Sequence, residues 1–131
     1  EYPNTDFALD AQFKLDLISD ILASKEMYLA NYYIDKEKWI PAINRFKVVI
    51  NEYNETIYVE EALHRLVEIH YRIGLELQAK KYANVLGYNY LSSEWYKESY
   101  KIFNRDYTDE REKLEKKNKK SIFKKLKTLI Q

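Results

Sequence analysis

The sequence has 131 residues, of which 33% are charged and 46% apolar, and its formal net charge is +1. Two glycines and two prolines are too few for a barrel or a sandwich, which needs a turn roughly every 8–12 residues. The absence of cysteine excludes a disulfide scaffold, a thiolate zinc site and a cysteine nucleophile. No apolar run reaches the ~18 residues of a membrane span. The composition therefore predicts an all-helical domain.

The C-terminal part of the chain differs in charge from the rest. From Arg111 onward the sequence has nine Lys or Arg and two Glu, whereas the preceding 110 residues have 13 basic and 19 acidic side chains. A basic tail on an acidic body indicates contact with an anionic surface or an acidic partner. We expect no nucleic-acid partner, because the acidic body would repel it and no aromatic residues are interleaved with the tail lysines to stack on bases.

The first predicted helix spans residues ~6–35, where apolar residues recur every three or four positions without glycine or proline. Thr5 or Asp6 is expected to cap its N-terminus. Pro41 fits the first turn of a second helix, because its missing N–H group costs nothing there.

Three further helices are predicted after the second. One covers residues ~58–73 and ends at Gly74, because glycine readily takes the left-handed conformation found at helix C-termini. The next covers residues ~76–90. The last starts near Glu94 and continues through Phe103 into the tail.

A repeat runs through these helices. Segments that begin at Tyr2, Tyr53 and Tyr90 each contain a turn-prone stretch, an aromatic residue five positions later, and then an acidic and a small residue. The last two begin 37 residues apart, and a period in the thirties made of helices is typical of a helix-pair solenoid. Ala42 and Ala79, also 37 residues apart, both fit a position that the tetratricopeptide pattern reserves for small residues.

These features predict an all-α fold, namely a tetratricopeptide-like helix-pair solenoid with a long first helix and a basic C-terminal helical tail. The repeat domain is expected to cover residues 1–104 with about 2.5 repeats, and the basic helical extension residues 105–131. Each helix pair should contact mainly its neighbours and leave a concave groove open.

Three stretches are more specific than a generic repeat. They are EMYLANYY from Glu26 to Tyr33, WIPAINRF from Trp39 to Phe46, and EALHRL from Glu61 to Leu66. With these stretches, residues 1–103 resemble the C-terminal half of the outer-membrane assembly lipoproteins of the BamD/ComL type. The lipidated N-terminal cysteine and the first repeats of that family are absent from the sequence. Because the first residue is Glu1 and not Met, we expect a fragment whose targeting segment has been removed.

The resemblance implies a non-catalytic scaffold in the bacterial complex that inserts β-barrel proteins into the outer membrane. Such a protein lies on the periplasmic face of that membrane and docks the last periplasmic domain of the barrel-shaped insertase. Other assembly lipoproteins and unfolded outer-membrane clients are further partners that it implies. The family contacts the membrane through its N-terminal lipid. The alternative is a generic tetratricopeptide adaptor that binds peptide tails of another partner.

Nothing in the sequence favours catalysis or a cofactor. Glu61 and His64 have the Glu-x-x-His spacing of di-iron bundles, but such a site needs a second copy, and Val67 stands where a Glu should precede His70. We therefore predict two surface histidines, no metal site and no cofactor. Two glycines are too few for a glycine-rich phosphate loop, so we also predict that the chain is not an enzyme.

Arg45 is the main candidate for partner binding. Its neighbours Ile43 and Phe46 are expected to face the core, which turns Arg45 outward. It is either a solvated surface arginine or, as the resemblance implies for the Asn44–Arg45 pair, the partner of an acidic residue on the insertase domain. A planar guanidinium suits such a bidentate carboxylate contact. Tyr33 belongs to a set of aromatic residues that either line a groove for extended peptides or pack between repeats.

The tail carries an apolar stripe at helical spacing. Its residues are Ile122, Phe123, Leu126, Leu129 and Ile130. We expect the stripe to cover the exposed end of the last repeat. Docking on a partner or in a lipid headgroup layer is the alternative. The candidate anchor residues are then Ile122, Phe123, Leu126, Lys124 and Lys125.

Overall fold

The computed structural model describes residues 5–130, and the side chains of residues 5–104 and 113–130. Residues 5–130 form six α-helices and no strand, which confirms the predicted all-α fold. The helices are α1 (Asp6–Asp35), α2 (Trp39–Glu52), α3 (Val59–Arg72), α4 (Glu76–Asn89), α5 (Glu94–Phe103) and α6 (Arg105–Ile130). The chain divides into two compact units, residues 1–99 and 100–131. The domain boundary expected after residue 104 stays a prediction.

Local sequence explains where several helices begin and end. The Thr5 side chain accepts a hydrogen bond from the Ala8 amide at 3.2 Å and caps α1, as predicted. The Ser93 hydroxyl oxygen does the same for α5, accepting from the Trp95 amide at 3.2 Å. Beyond the end of α3, Gly74 has a φ of 88°, the left-handed conformation expected there.

The first unit contains two helix pairs, α1 with α2 and α3 with α4, and α2 packs against α3. A shift of 37 residues relates the two pairs. Trp39 starts α2 and Glu76 starts α4, while Asp35 ends α1 and Arg72 ends α3. This regular shift confirms the predicted tetratricopeptide-like arrangement of helix pairs.

Small residues lie where the paired helices pack. Ala30 of α1 and Ala42 of α2 have no exposed surface, and they share a core cluster with the fully buried Phe46. Ala79 of α4, 37 residues after Ala42, is also fully buried. Alanine allows close backbone approach, and burial of Phe46 contributes about 1.5–3 kcal/mol to folding.

The long first helix extends beyond the helix that it packs against. α1 has 30 residues and α2 has 14, so α2 can cover only about half of α1. The buried residues of α1 are Ala23, Met27 and Ala30, whereas Phe7 is 84% exposed. The apolar spacing thus predicts the helix correctly, but most of the apolar residues before Ala23 are exposed.

α5 and α6 are separate helices. The sequence predicts one helix from Glu94 into the tail, whereas α5 ends at Phe103 and α6 starts at Arg105. Asn104 lies between them, and asparagine favours helix ends because its side chain competes for backbone hydrogen bonds. None of the helices, as far as they are described, is long and apolar enough to cross a membrane.

Candidate partner-binding site

Arg45 of α2 forms an ion pair with Glu26 of α1. The Arg45 Nη1 atom lies 3.1 Å from Glu26 Oε2 and 3.4 Å from Glu26 Oε1. The Arg45 side chain is 41% exposed and the Glu26 side chain 17%. Sequence reasoning misses this contact, because it considers only a solvated arginine or a contact with another protein. Arg45 therefore has a partner within the same chain, while part of its side chain is exposed to solvent.

The packing of α1 on α2 brings the two charges together. Glu26 immediately precedes Met27, which is buried in α1, and Arg45 immediately precedes Phe46, which is buried in α2. Successive residues of a helix point about 100° apart, so both charged residues lie at the edge of the packed faces. The ion pair therefore spans the rim of the α1–α2 contact.

The surroundings of Arg45 favour its charged form. The hydrogen bond and the negative charge of Glu26 raise the pKa of Arg45, partial burial opposes them, and Tyr33 adds a smaller rise. Tyr33 is half-buried in α1, and its ring meets Tyr32 edge-on with 5.7 Å between centroids. Asn44 is exposed on α2. The structure thus places Tyr33 beside Arg45. Asn44 immediately precedes Arg45 in α2.

The arrangement leaves Arg45 with hydrogen-bond donors beyond the Glu26 pair. A guanidinium has five N–H groups, and the hydrogen bonds to Glu26 use Nη1. A carboxylate from another molecule can therefore bind the same guanidinium at its other nitrogens. Because Glu26 already orders the side chain, such a contact loses less rotamer entropy than one to a free arginine.

A second polar cluster joins α3 to the first half of α5. The His64 Nδ1 atom lies 2.8 Å from Ser99 Oγ, and the His64 Nε2 atom lies 3.4 Å from Glu68 Oε1. Arg65 Nη1 donates to Glu68 Oε2 at 2.8 Å. The hydrogen bonds from His64 and then Arg65 lower the pKa of Glu68 to about 2, against its partial burial. In the neutral ring Nε2–H donates to Glu68, so the Ser99 hydroxyl donates to Nδ1.

The prediction of two surface histidines is wrong. His64 and His70 are each only 5% exposed. His70 Nδ1 donates to the Leu66 carbonyl oxygen at 2.7 Å, and its ring centroid lies 5.2 Å from that of Tyr82. Each ring thus has a hydrogen-bond partner inside the fold, which is the condition for burying a polar group at low cost.

This cluster contains a serine, a histidine and an acidic residue, as a hydrolase triad does, but its serine is inaccessible. Its members are Ser99, His64 and Glu68. Ser99 has no exposed surface, so a substrate cannot reach its hydroxyl group. The cluster therefore links helices. Among the residues described, no group of three or more His, Asp or Glu could hold a metal ion.

The predicted anchor residues of the tail lie on α6 in the second unit, and all are exposed. They are Ile122, Phe123, Lys124, Lys125 and Leu126. Phe123 is 72% exposed and Leu126 49%. Covering of the last repeat by this stripe stays a prediction.

The fold defines the class as a tetratricopeptide-like protein built from helix pairs, with a charged site at the rim of its first pair. Residues 1–86 match the family model described as YfiO, outer membrane lipoprotein. The chain belongs to this family, which confirms the resemblance seen in the sequence.

Curated relatives agree with this membership. The chain is 47% identical over 102 residues to the outer membrane protein assembly factor BamD of Rickettsia prowazekii, a match that covers 78% of this chain and 41% of the relative. It is 44% identical over 103 residues to BamD of Caulobacter vibrioides, covering 79% and 34%. For BamD of Neisseria gonorrhoeae the identity is 38% over 71 residues, covering 54% and 26%. The chain thus spans less than half the length of these relatives.

Proposed function

We propose that this chain is a non-catalytic scaffold of outer membrane protein assembly that works on the periplasmic face of the outer membrane. In this proposal it docks the periplasmic domain of the β-barrel insertase, while other assembly lipoproteins and unfolded clients bind elsewhere. The observation that carries the proposal is membership of the family, whose curated members are named assembly factors. The closed setting of Ser99 and His64 supports the non-catalytic role.

Arg45, Asn44 and Tyr33 form the docking site in this proposal. The half-exposed guanidinium is held at the rim of α1 and α2, where a carboxylate of the insertase domain can approach it. In the second helix pair, Tyr82 occupies the position of Arg45 and packs on His70. The cation therefore distinguishes the first pair from the second and supports its use for recognition of an acidic partner.

Arg45→Glu tests the docking site. Reversal of the charge replaces attraction by repulsion, so we expect Kd for the insertase's periplasmic domain to rise at least about 30-fold. Titration calorimetry measures this change. Lys47→Glu is the matched control, since Lys47 is an exposed cation of the same helix, and it should change Kd much less.

A double variant separates binding from stability. Arg45→Glu alone places a new carboxylate beside Glu26 and so weakens the fold as well. Combining it with Glu26→Lys restores an ion pair of reversed polarity, and we expect a melting temperature close to that of the parent while binding stays weak. An unchanged Kd in the double variant would remove Arg45 from the docking site. Binding of free peptide tails, and not of the insertase domain, would favour the generic tetratricopeptide adaptor.

A further inference from the structure

α6 presents a surface that is not part of the docking site proposed above. The family model matches residues 1–86, and α6 begins only at Arg105. Every described side chain of α6, from residue 113 to residue 130, is exposed. Large apolar side chains in so exposed a helix usually mark a surface that binds something else.

The apolar residues of α6 form one face. With about 100° between successive residues, its last three turns place five apolar side chains within an arc of about 120°. These are Ile122, Phe123, Leu126, Leu129 and Ile130. Their exposed fractions range from 49% for Leu126 to 85% for Ile130.

Lysines border this apolar face on both sides. In the same helical projection, Lys127 lies about 40° beyond Phe123, and Lys125 lies about 40° beyond Leu129. Lys124 lies on the opposite side of the helix. Lysines at such borders can lay their methylene groups along an apolar surface while the ammonium groups stay in a polar layer. This pattern is typical of helices that lie in a membrane interface.

The charge of α6 favours an anionic lipid surface over a second copy of the helix. Residues 113–130 contain eight lysines against Glu115, and no acidic residue follows Glu115. Two copies of this segment would set lysines against lysines on both edges of their contact, where paired helices normally place opposite charges. Anionic headgroups attract each lysine and leave room for the apolar face between them.

We propose that α6 lies flat on the surface of an anionic phospholipid membrane, with Ile122, Phe123 and Leu126 inserted between headgroups and the flanking Lys125 and Lys127 near the phosphates. This contact goes beyond the proposed docking of the insertase domain and does not require Arg45. It would keep the chain at the membrane surface independently of its protein partners.

Vesicle flotation with the full chain tests the proposal. We expect binding to vesicles of phosphatidylglycerol and phosphatidylcholine at low salt, and weak binding at high salt or to phosphatidylcholine alone. Lys125→Gln with Lys127→Gln, which removes the two lysines that flank the apolar face, should weaken binding about fivefold per lysine, and glutamine keeps the helix propensity of lysine. Lys80→Gln with Lys81→Gln, two exposed lysines of α4, is the matched control and should leave binding unchanged.

The apolar face is tested by Phe123→Ser with Leu126→Ser, which should weaken vesicle binding more than about tenfold. Ile40→Ser with Leu77→Ser removes two exposed apolar side chains of the first unit and serves as its control. Circular dichroism shows whether the serine variant keeps α6 helical. If the serine variant loses this helix, the glutamine variant still tests the proposal.

Several results would overturn the proposal. Equal binding to charged and neutral vesicles would do so, as would full binding by the Lys125 and Lys127 variant. A dimer that the serine variant abolishes, without vesicle binding by the parent, would assign the stripe to a second copy. A fall in melting temperature of the serine variant, again without vesicle binding, would assign it to the last repeat. Arg45→Glu should leave vesicle binding unchanged, so this proposal and insertase docking can fail separately.

Discussion

The two helix pairs of the first unit share the 37-residue spacing of their helix ends and turns, but they differ in chemistry at equivalent positions. The 37-residue shift between them places Arg45 at the position of Tyr82, and Tyr33 at the position of His70. In the first pair these positions hold a half-exposed cation paired with Glu26, whereas in the second they hold a buried imidazole packed against a phenol. The repeat sets the backbone, and the side chains decide whether a position carries a half-exposed ion pair or a buried ring contact.

The largest expected effect concerns the core of the first pair. Phe46 is fully buried, and its equivalent in the second pair is Ala83. Phe46→Ala should lower the free energy of unfolding by about 3–5 kcal/mol, because it leaves a cavity in the cluster that α1, α2, α3 and α4 share. Urea denaturation measures the change, with Ile40→Ala, at a 64% exposed position of α2, as the control. A loss no larger than that of the control would mean that this cluster does not hold the first pair.

The second pair should respond to acid through Glu68. Its pKa is about 2 in the fold, against 4.5 for the free side chain, so the unfolded chain binds more protons at acidic pH. The stabilisation is present above about pH 4.5 and is lost as the pH falls towards about 2. Because the Glu68 side chain is 40% exposed, solvent screening limits it to about 1–2 kcal/mol.

Glu68→Gln provides the comparison for this acid dependence. We expect the stability of the parent to fall more steeply than that of the variant between about pH 5 and about pH 2.5, since the variant has no carboxyl group to protonate. Equilibrium denaturation across that range measures both slopes. Parallel slopes would show that the bonds from His64 and Arg65 to this carboxylate contribute nothing to acid stability.

The turn between α3 and α4 gives a test with a smaller expected effect on stability. Gly74 has a φ of 88°, and a side chain added there would meet nothing within 4 Å. Gly74→Ala should therefore cost about 1 kcal/mol through backbone strain and not through a clash. Thermal denaturation measures the cost. Gly74→Asn should recover part of it, because asparagine tolerates the left-handed conformation better than alanine. Equal stability of the alanine variant and the parent would mean that the turn relaxes to another conformation.

The helices and their pairing could be predicted from the sequence because each rests on local signals. Apolar spacing predicts α1, Pro41 fits the start of α2, and Gly74 marks the end of α3. The ion pair of Arg45 with Glu26 could not, because it joins residues 19 positions apart on different helices. Local spacing does not tell which edges of two helices meet. The role of Arg45 in partner binding remains a proposal.

The buried histidines were predictable from the repeat, although not from residue type. Polar side chains are usually exposed, so single-residue reasoning places His64 and His70 at the surface. The 37-residue shift instead aligns His64 with Met27, and His70 with Tyr33. Met27 is buried and Tyr33 half-buried. Alignment of the two pairs before assigning exposure would have indicated burial for His64 and at least partial burial for His70.

The smallest expected effect lies in the turn of the first pair. Glu37 is equivalent to Gly74 and also has a positive φ, 56°, which is costly for a residue with a side chain. Its amide donates to the Ile34 carbonyl oxygen, as the Gly74 amide does to that of Tyr71. Glu37→Gly should therefore stabilise the fold by about 0.5 kcal/mol, the relief of strain exceeding the added freedom of the unfolded chain. Thermal denaturation beside Glu55→Gly, a change at an exposed loop position, measures the gain. Equal shifts in the two variants would mean that the left-handed residue of the first turn is not strained.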